Sequence, residues 1–520
     1  MASDAETAFR EGLSLSAAGR PFDALGRHLA AWRLDRRTPR YRLGLARAFH
    51  GVRLKEASPA VIEALIALLN SDDIDPQEVA PAAQGLLKLS DPEALRQPLA
   101  KALLSRAIVT DQAIETALTG LRARAAELPE EALTLLALQA DLNRFAWWEA
   151  PEETAAVDDL ARQLAASPPS QWTREVLQLA CYRPLPDWAE GLAVPASPLL
   201  RLLHRRSIEE PAAVRRAPIP RLVATADETS RKVKALYEAN PYPRWIAVTR
   251  QPPRPFAEVL RAILPGIDVP ELAAPRVLVA GCGTGAHAVR VASRFAGAEV
   301  LAIDLSRASL GYAALKAAEL DQRNIAFAEA DLLALGDWDR RFDLIECSGV
   351  LHHLAEPAQG LAVLTRLLAP GGLMKLGLYA RAARRPLAQA RALLTGFDAT
   401  PEGLRAARRR LQALPESDAA RAVTRLLDFH SLDGLRDLLF HVQETSYDLG
   451  EVQALLDGTG LLFLGFELAD PAMLARFRQR HPGRERDLAR WQAFEAEAPE
   501  CFAAMYQFWC RPKGSKESKP

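Results

Sequence analysis

Arg276-Val-Leu-Val-Ala280, Gly281-Cys-Gly-Thr-Gly285 and Ala286-His-Ala-Val-Arg-Val-Ala292 read in succession as an aliphatic strand, a glycine-rich turn and an amphipathic helix. Glycine suits such a turn because the chain must bend sharply and let a ligand approach backbone where a Cβ would stand. The helix then turns its free N-terminal amides toward the same place. Gly281, Gly283 and Ala286 also satisfy G-x-G-x-x-A, so the loop by itself leaves a dinucleotide open.

Further elements follow in order. Asp304 ends the predicted strand Glu299 to Ile303, about twenty residues past the loop, where a carboxylate can accept from both hydroxyls of a ribose; capping the next helix is the alternative. Glu329-Ala-Asp331 follows the strand Ile325 to Glu329, at the sheet edge where a carboxylate can accept from an adenine amino group. The strand Phe342 to Cys347 runs through Ser348 into Gly349-Val-Leu-His-His353. His352 and His353 are adjacent and point apart, which excludes a two-ligand metal site; either is a candidate base, or they pack and bond locally. Leu368-Ala-Pro-Gly-Gly372 reads as a helix end and tight turn before a fifth strand, Leu373 to Tyr379. Strands alternating with helices predict an α/β, doubly wound, Rossmann-like sheet.

The flanks differ in pattern. Residues 1–215 carry apolar residues at spacings of three and four and are expected to be all helical. Ala8, Gly12 and Leu15, then Ala24, His28 and Ala31 across the turn Gly19-Arg20-Pro21, look like one tetratricopeptide-type hairpin; no clean second copy follows, so an irregular bundle stays open. Residues 216–268 form a Pro-rich connector, 269–380 the nucleotide-binding core and 381–430 a helical insertion. Residues 431–470 are expected to give two closing strands, Leu439 to Tyr447 and Leu461 to Glu467, and 471–520 a helical, aromatic tail with a frayed end from Lys513.

Composition excludes several classes. Lys+Arg and Asp+Glu both number 65, so no net charge draws the chain to nucleic acid or anionic lipid, and the runs Arg381 to Arg385 and Arg405 to Arg410 read as solvated helix faces. The five cysteines lack paired spacing and the start Met1 to Glu6 lacks a signal-peptide pattern, so a soluble cytoplasmic protein without metal or membrane contact is expected.

Taken together, the glycine loop, Asp304, Asp331, Val350 to His353 and Leu368 to Gly372 resemble the class I S-adenosylmethionine (AdoMet)-dependent methyltransferases in order and approximate spacing. Ala280 departs from that pattern, which often has an acid there. Over nearly the whole chain the sequence is similar to bacterial methyltransferases with an N-terminal tetratricopeptide-type region, through Tyr237-Glu-Ala-Asn-Pro-Tyr-Pro-Arg-Trp245, Gly371-Gly-Leu-Met-Lys-Leu-Gly-Leu-Tyr379, Arg436-Asp-Leu-Leu-Phe-His-Val-Gln443 and Met505-Tyr-Gln-Phe-Trp509. The resemblance implies AdoMet as cofactor, held by Gly281, Cys282, Gly283, Thr284, Gly285, Asp304, Leu305, Asp331, Leu332 and Ser348. Tyr242, Arg244 and Trp245 are candidates for a lid or substrate mouth, with a packed connecting turn as the alternative. His352, His353 and Tyr379 are the candidate bases. The resemblance names no acceptor. A protein recruited by the helical region, a small molecule, and an inactive scaffold are all carried forward.

Overall fold

A computed structural model describes residues 2–89, 91–225 and 228–514, which leaves the end of the tail expected to fray, from residue 515, outside the described residues. Seven strands form one sheet: β1 Arg276–Ala280, β2 Glu299–Asp304, β3 Ile325–Glu329, β4 Phe342–Ser348, β5 Leu368–Tyr379, β6 Leu461–Phe466 and β7 Met505–Pro512. Their order is β3-β2-β1-β4-β5-β7-β6. β1 to β5 pair in parallel, and β7 runs antiparallel to both β5 and β6. The order reverses between β1 and β4, and in open α/β sheets the crevice at the C-terminal edge of that reversal takes the ligand.

Helices cover both faces, so strand residues alternate between two cores. Leu278, Ala280, Ile345 and Cys347 pack on one side, and Val277, Val279 and Leu344 on the other. β5 begins at Leu368, five residues before the predicted start. The Pro-Gly turn is absorbed as a register shift between Phe342 and Leu344 of β4, with Gly371 at φ +78°.

The end of the sheet corrects two expectations. Residues 439–447 do not form a strand: Leu432–Phe440 is a helix, capped by the Ser431 hydroxyl accepting from the Gly434 amide. Its buried Leu432, Leu435, Leu438 and Leu439 follow the helical spacing of three and four, and that period prevails over the aliphatic composition. The tail is α-helical through Pro471–Arg480 and Leu488–Glu497, with a short 3-10 turn at Pro499–Cys501. Met505–Pro512 is a strand because its aromatics alternate, Tyr506 and Phe508 into one core and Trp509 into the other.

Helices fill the region before the connector. Ala2–Ala17 and Pro21–Leu34 pack so closely that a Cβ on Gly12 would lie 2.8 Å from the His28 ring. The next helices begin at Pro39, Pro59, Pro76 and Pro98, without a 34-residue spacing.

Helix Leu432–Phe440 joins the insertion expected over 381–430 and extends it to residue 440: the two share one core of residues such as Leu387, Leu404, Leu411, Phe429 and Leu435, joined by Ala146 of the N-terminal region. Here the arginine run departs from the solvated face expected of it. Arg408 is buried and bonds both oxygens of Glu115 at 2.5 Å, and the buried Arg405 pairs with Glu149 at 2.9 Å. Arg144 reaches Asp433 at 3.1 Å in the same seam. The N-terminal helices therefore hold the insertion in place, and the insertion reaches the crevice at the sheet edge.

Candidate active site

The glycine loop leaves β1 with its geometry set by its neighbours. Gly281 has φ +69°, and a Cβ there would stand 2.1 Å from Val350 Cγ2. The amides of Gly281 and Cys282 both donate to the Ile303 carbonyl, at 2.8 and 2.9 Å. Gly285, at φ +86°, is the N-cap of helix Ala286–Arg294. Beside Gly283 the nearest atom to a built Cβ is the Tyr242 carbonyl at 3.4 Å, so this stretch of backbone stays open to a ligand.

Asp304 is fixed by two amides, Gly283 N–H at 2.8 Å on one oxygen and Ser306 N–H at 2.9 Å on the other. Each oxygen keeps a lone pair, and burial raises this carboxyl above its ordinary value despite the two amides. Asp331 caps the turn Leu332–Leu335 through the Leu333 amide. Glu329 of the same acidic pair is turned to Lys234 and Arg221 and serves the connector.

These groups border a cavity of about 410 Å³. Gly281 to Thr284, Asp304 with Leu305, Asp331 with Leu332, and Ser348 line it, while Gly285 stands behind as the helix cap. Tyr242, His353 and Tyr379 line it as well; His352, Arg244 and Trp245 do not. Trp245 braces the loop from behind, its indole N–H donating to the Thr284 carbonyl at 2.8 Å and its carbonyl accepting from Tyr312 at 2.6 Å.

The two histidines join a column of rings. Arg384 lies over Tyr379 at 3.5 Å, Tyr379 stacks on His352 at 3.7 Å, and His353 stacks on His441 at 3.8 Å. His353 Nδ1–H donates to the Gln443 carbonyl at 2.7 Å. Burial and the neighbouring His441 push His353 down to about 3, and burial takes His352 well below its ordinary value. Burial also raises the Tyr379 phenol, so all three groups are neutral at physiological pH. A buried Glu346 on β4 meets His287 of the cavity wall at 2.7 Å. Burial alone would raise Glu346, but the imidazole holds it at about 2.

Several wall residues lie outside the sequence-based expectations. Thr229, Val233 and Tyr237 come from helix Glu228–Ala239, Asp437 from the insertion and Gln507 from β7. Asp437 and Gln507 sit in the two segments whose secondary structure departs from the expected one. Both belong to the phrases Arg436 to Gln443 and Met505 to Trp509, which are the signal for them.

A methyltransferase-domain family model matches residues 278–374, from β1 through the glycine loop into β5. An uncharacterised protein of Synechococcus sp. is 33% identical over 293 residues, covering 52% of this chain and 69% of that protein. The chain belongs to the class I AdoMet-dependent methyltransferases. Within this methyltransferase, the ubiquinone biosynthesis O-methyltransferase of Alkalilimnicola ehrlichii matches 98 residues at 40% identity, 19% of this chain and 38% of that enzyme. The chain thus spans less than half the length of that curated relative. PKMT2 from Rickettsia typhi in complex with AdoHcy aligns over 50% of this chain and 54% of that one, at 17% identity and a TM-score of 0.41.

AdoMet is the cofactor of the methyltransferase. The open backbone at Gly283 and the amide-oriented Asp304 suit its nucleoside. Among the described residues no helix is long and apolar enough to cross a membrane, and no group of His, Cys, Asp and Glu could hold a metal ion.

Proposed function

We propose that the protein transfers the methyl group of AdoMet to an amine that enters between Tyr237, Tyr242, Tyr379 and Asp437. The observation that carries this reading is that Asp437, bonded to the Tyr237 hydroxyl, lines the same cavity as Tyr242, Tyr379 and the neutral His353. A half-buried carboxylate among phenol rings attracts a cationic ammonium. Burial raises Asp437, which suits it to take the proton that an ammonium must lose before its nitrogen is nucleophilic. An alcohol would need a stronger base, and His353 at about 3 is a poor one.

In this reading Gly281 to Thr284 receive the cofactor against open backbone, Asp304 accepts from the ribose hydroxyls, and Asp331 faces the adenine amino group. AdoMet supplies a methyl group already activated on a sulfonium, so the protein aligns the nucleophile and excludes water. The Tyr237 and Tyr242 hydroxyls, bonded to Asp437 and Asp428, draw the connector over the cavity. The N-terminal helices contribute by holding the insertion that carries both carboxylates. The same arrangement serves a protein amine and a small-molecule amine. An intact loop, Asp304 and cavity together weigh against an inactive scaffold.

The test is methyl-labelled AdoMet with the full-length protein and a lysate lacking it, fractionated into protein and small molecules. Label that survives base as N-methyl supports the reading, and the labelled fraction separates the two sources. Label released by base as methanol, the mark of a methyl ester, or recovered as a methyl ether or thioether, refutes it.

A further inference from the structure

A second cavity of about 190 Å³ lies where the N-terminal helices meet the connector, and its lining includes Arg144, Arg183, Arg206, Arg215 and Arg244. Three of these arginines are committed to carboxylates. Arg144 pairs with Asp141 and Asp433, Arg183 with Glu149, and Arg215 with Glu190. Arg206 and Arg244 form no ion pair among the described residues. Arg206 is 2% exposed, and none of its three guanidinium nitrogens has a hydrogen-bond partner within the protein. Arg244 Nε is likewise buried without one.

The backbone around Arg206 is unusual too. Arg205–Glu209 is a π-helical turn inserted between helices Pro198–His204 and Glu210–Arg216, and Arg206, Ser207 and Ile208 of that turn face the cavity. Such turns occur mostly inside α-helices and frequently at functional sites. The nearest acids attract Arg206 without pairing with it: Asp141 is bonded to Arg144, and Glu210 to Lys316 at 3.0 Å. Burial lowers both guanidinium groups, yet arginine starts so high that they stay cationic. A buried, unpaired cation is costly to keep, and an anion that binds both forks relieves the cost.

We infer that this cavity binds a small phosphomonoester, its phosphate held by Arg206 and Arg244. Two guanidinium groups without ion pairs, in a cavity that Ser207 also lines, match a dianionic tetrahedral oxyanion better than a single carboxylate. The volume leaves room for a small organic portion. The site is linked to the AdoMet pocket, because Arg244 lies between two residues bonded to the glycine loop. The Pro243 carbonyl accepts from the Thr284 hydroxyl, and the Trp245 indole donates to the Thr284 carbonyl. Linkage then requires that phosphate and cofactor affect each other's affinity equally.

The experiment is thermal unfolding and calorimetry of the full-length protein with inorganic phosphate, against acetate at equal ionic strength. Phosphate is expected to bind saturably at one site and raise the midpoint, with binding roughly tenfold or more weaker in Arg244→Met. Arg206→Met should lose the response and, without phosphate, unfold no earlier than the wild type, since an unpaired buried charge has been removed. S-adenosylhomocysteine (AdoHcy) should bind more tightly at saturating phosphate. No phosphate response, an equal response in Arg206→Met, or an equal response to acetate overturns the assignment. Earlier unfolding of Arg206→Met in phosphate-free buffer also overturns it, because Arg206 would then be holding the fold. Since AdoHcy binding is read separately, unchanged AdoHcy affinity removes the linkage alone.

Discussion

The Tyr237 hydroxyl donates to Asp437 at 2.6 Å, tying the connector helix to the insertion across 200 residues of sequence. Tyr242 makes the parallel bond to Asp428, so two tyrosines of one segment are latched to two acids of the other. The connector thereby becomes a wall of the cofactor pocket. Tyr237→Phe leaves a half-buried carboxylate one bond short, a loss of about 1 to 3 kcal/mol. The expected result is AdoHcy affinity reduced roughly tenfold, measured by calorimetry. The double variant Tyr237→Phe/Asp437→Asn should lose less than the two single variants added together. Strict additivity would show that the bond does not act as a latch.

Asp304→Ala removes the acceptor aligned by the Gly283 and Ser306 amides. AdoHcy binding should fall about 10- to 100-fold, as for loss of hydrogen bonds to a charged group. Circular dichroism should be unchanged. A variant that binds AdoHcy as the parent does would remove Asp304 from the cofactor site.

Acid should weaken the fold before ordinary carboxylates titrate. His352 lies well below the ordinary histidine value of 6.5, His353 at about 3 and His441 at about 4, each chiefly through burial. The unfolded chain takes up these protons near pH 6.5 while the folded chain resists, so the unfolded state binds more protons in the interval between. Stability is therefore full above about pH 6.5 and falls as the pH drops toward about 4. Urea unfolding at about pH 7.5, 6.5, 5.5 and 5.0, a series that starts above the ordinary histidine range and descends through it, should give descending midpoints. The descent should be shallower in His441→Phe. A flat profile in the parent protein would contradict the buried, neutral column.

Arg408→Ala strands Glu115 in the seam between the N-terminal helices and the insertion, which should cost about 3 to 5 kcal/mol. The paired replacement Arg408→Met/Glu115→Leu should recover much of that loss. Equilibrium unfolding reads both. If Arg408→Ala is neutral, the seam does not depend on this pair.

The core of the fold is legible in the sequence because β1 to β4 are buried on both faces and announce themselves as short aliphatic runs. The glycine loop, Asp304, Asp331 and Ser348 follow from their places at strand ends. The far wall is not legible. Asp437 sits on a helix whose leucines look equally like a strand, and Gln507 on a strand whose aromatics look equally like a helix. The strand takes its form from partners distant in sequence, Met374 to Tyr379 opposite Met505 to Cys510. The same holds for Arg405 and Arg408, which look like surface charges until Glu149 and Glu115 are brought to them.

β7 lies between β5 and β6, so the last of the seven strands to be made is threaded between two made earlier. On the ribosome, five parallel strands and the glycine loop can assemble while β6 waits without a neighbour. Only when residue 512 has emerged does the sheet gain its seventh strand and the pocket its Gln507. The cavity wall then closes abruptly, and a nascent chain stalled before β7 would expose the edges of β5 and β6 to other strands.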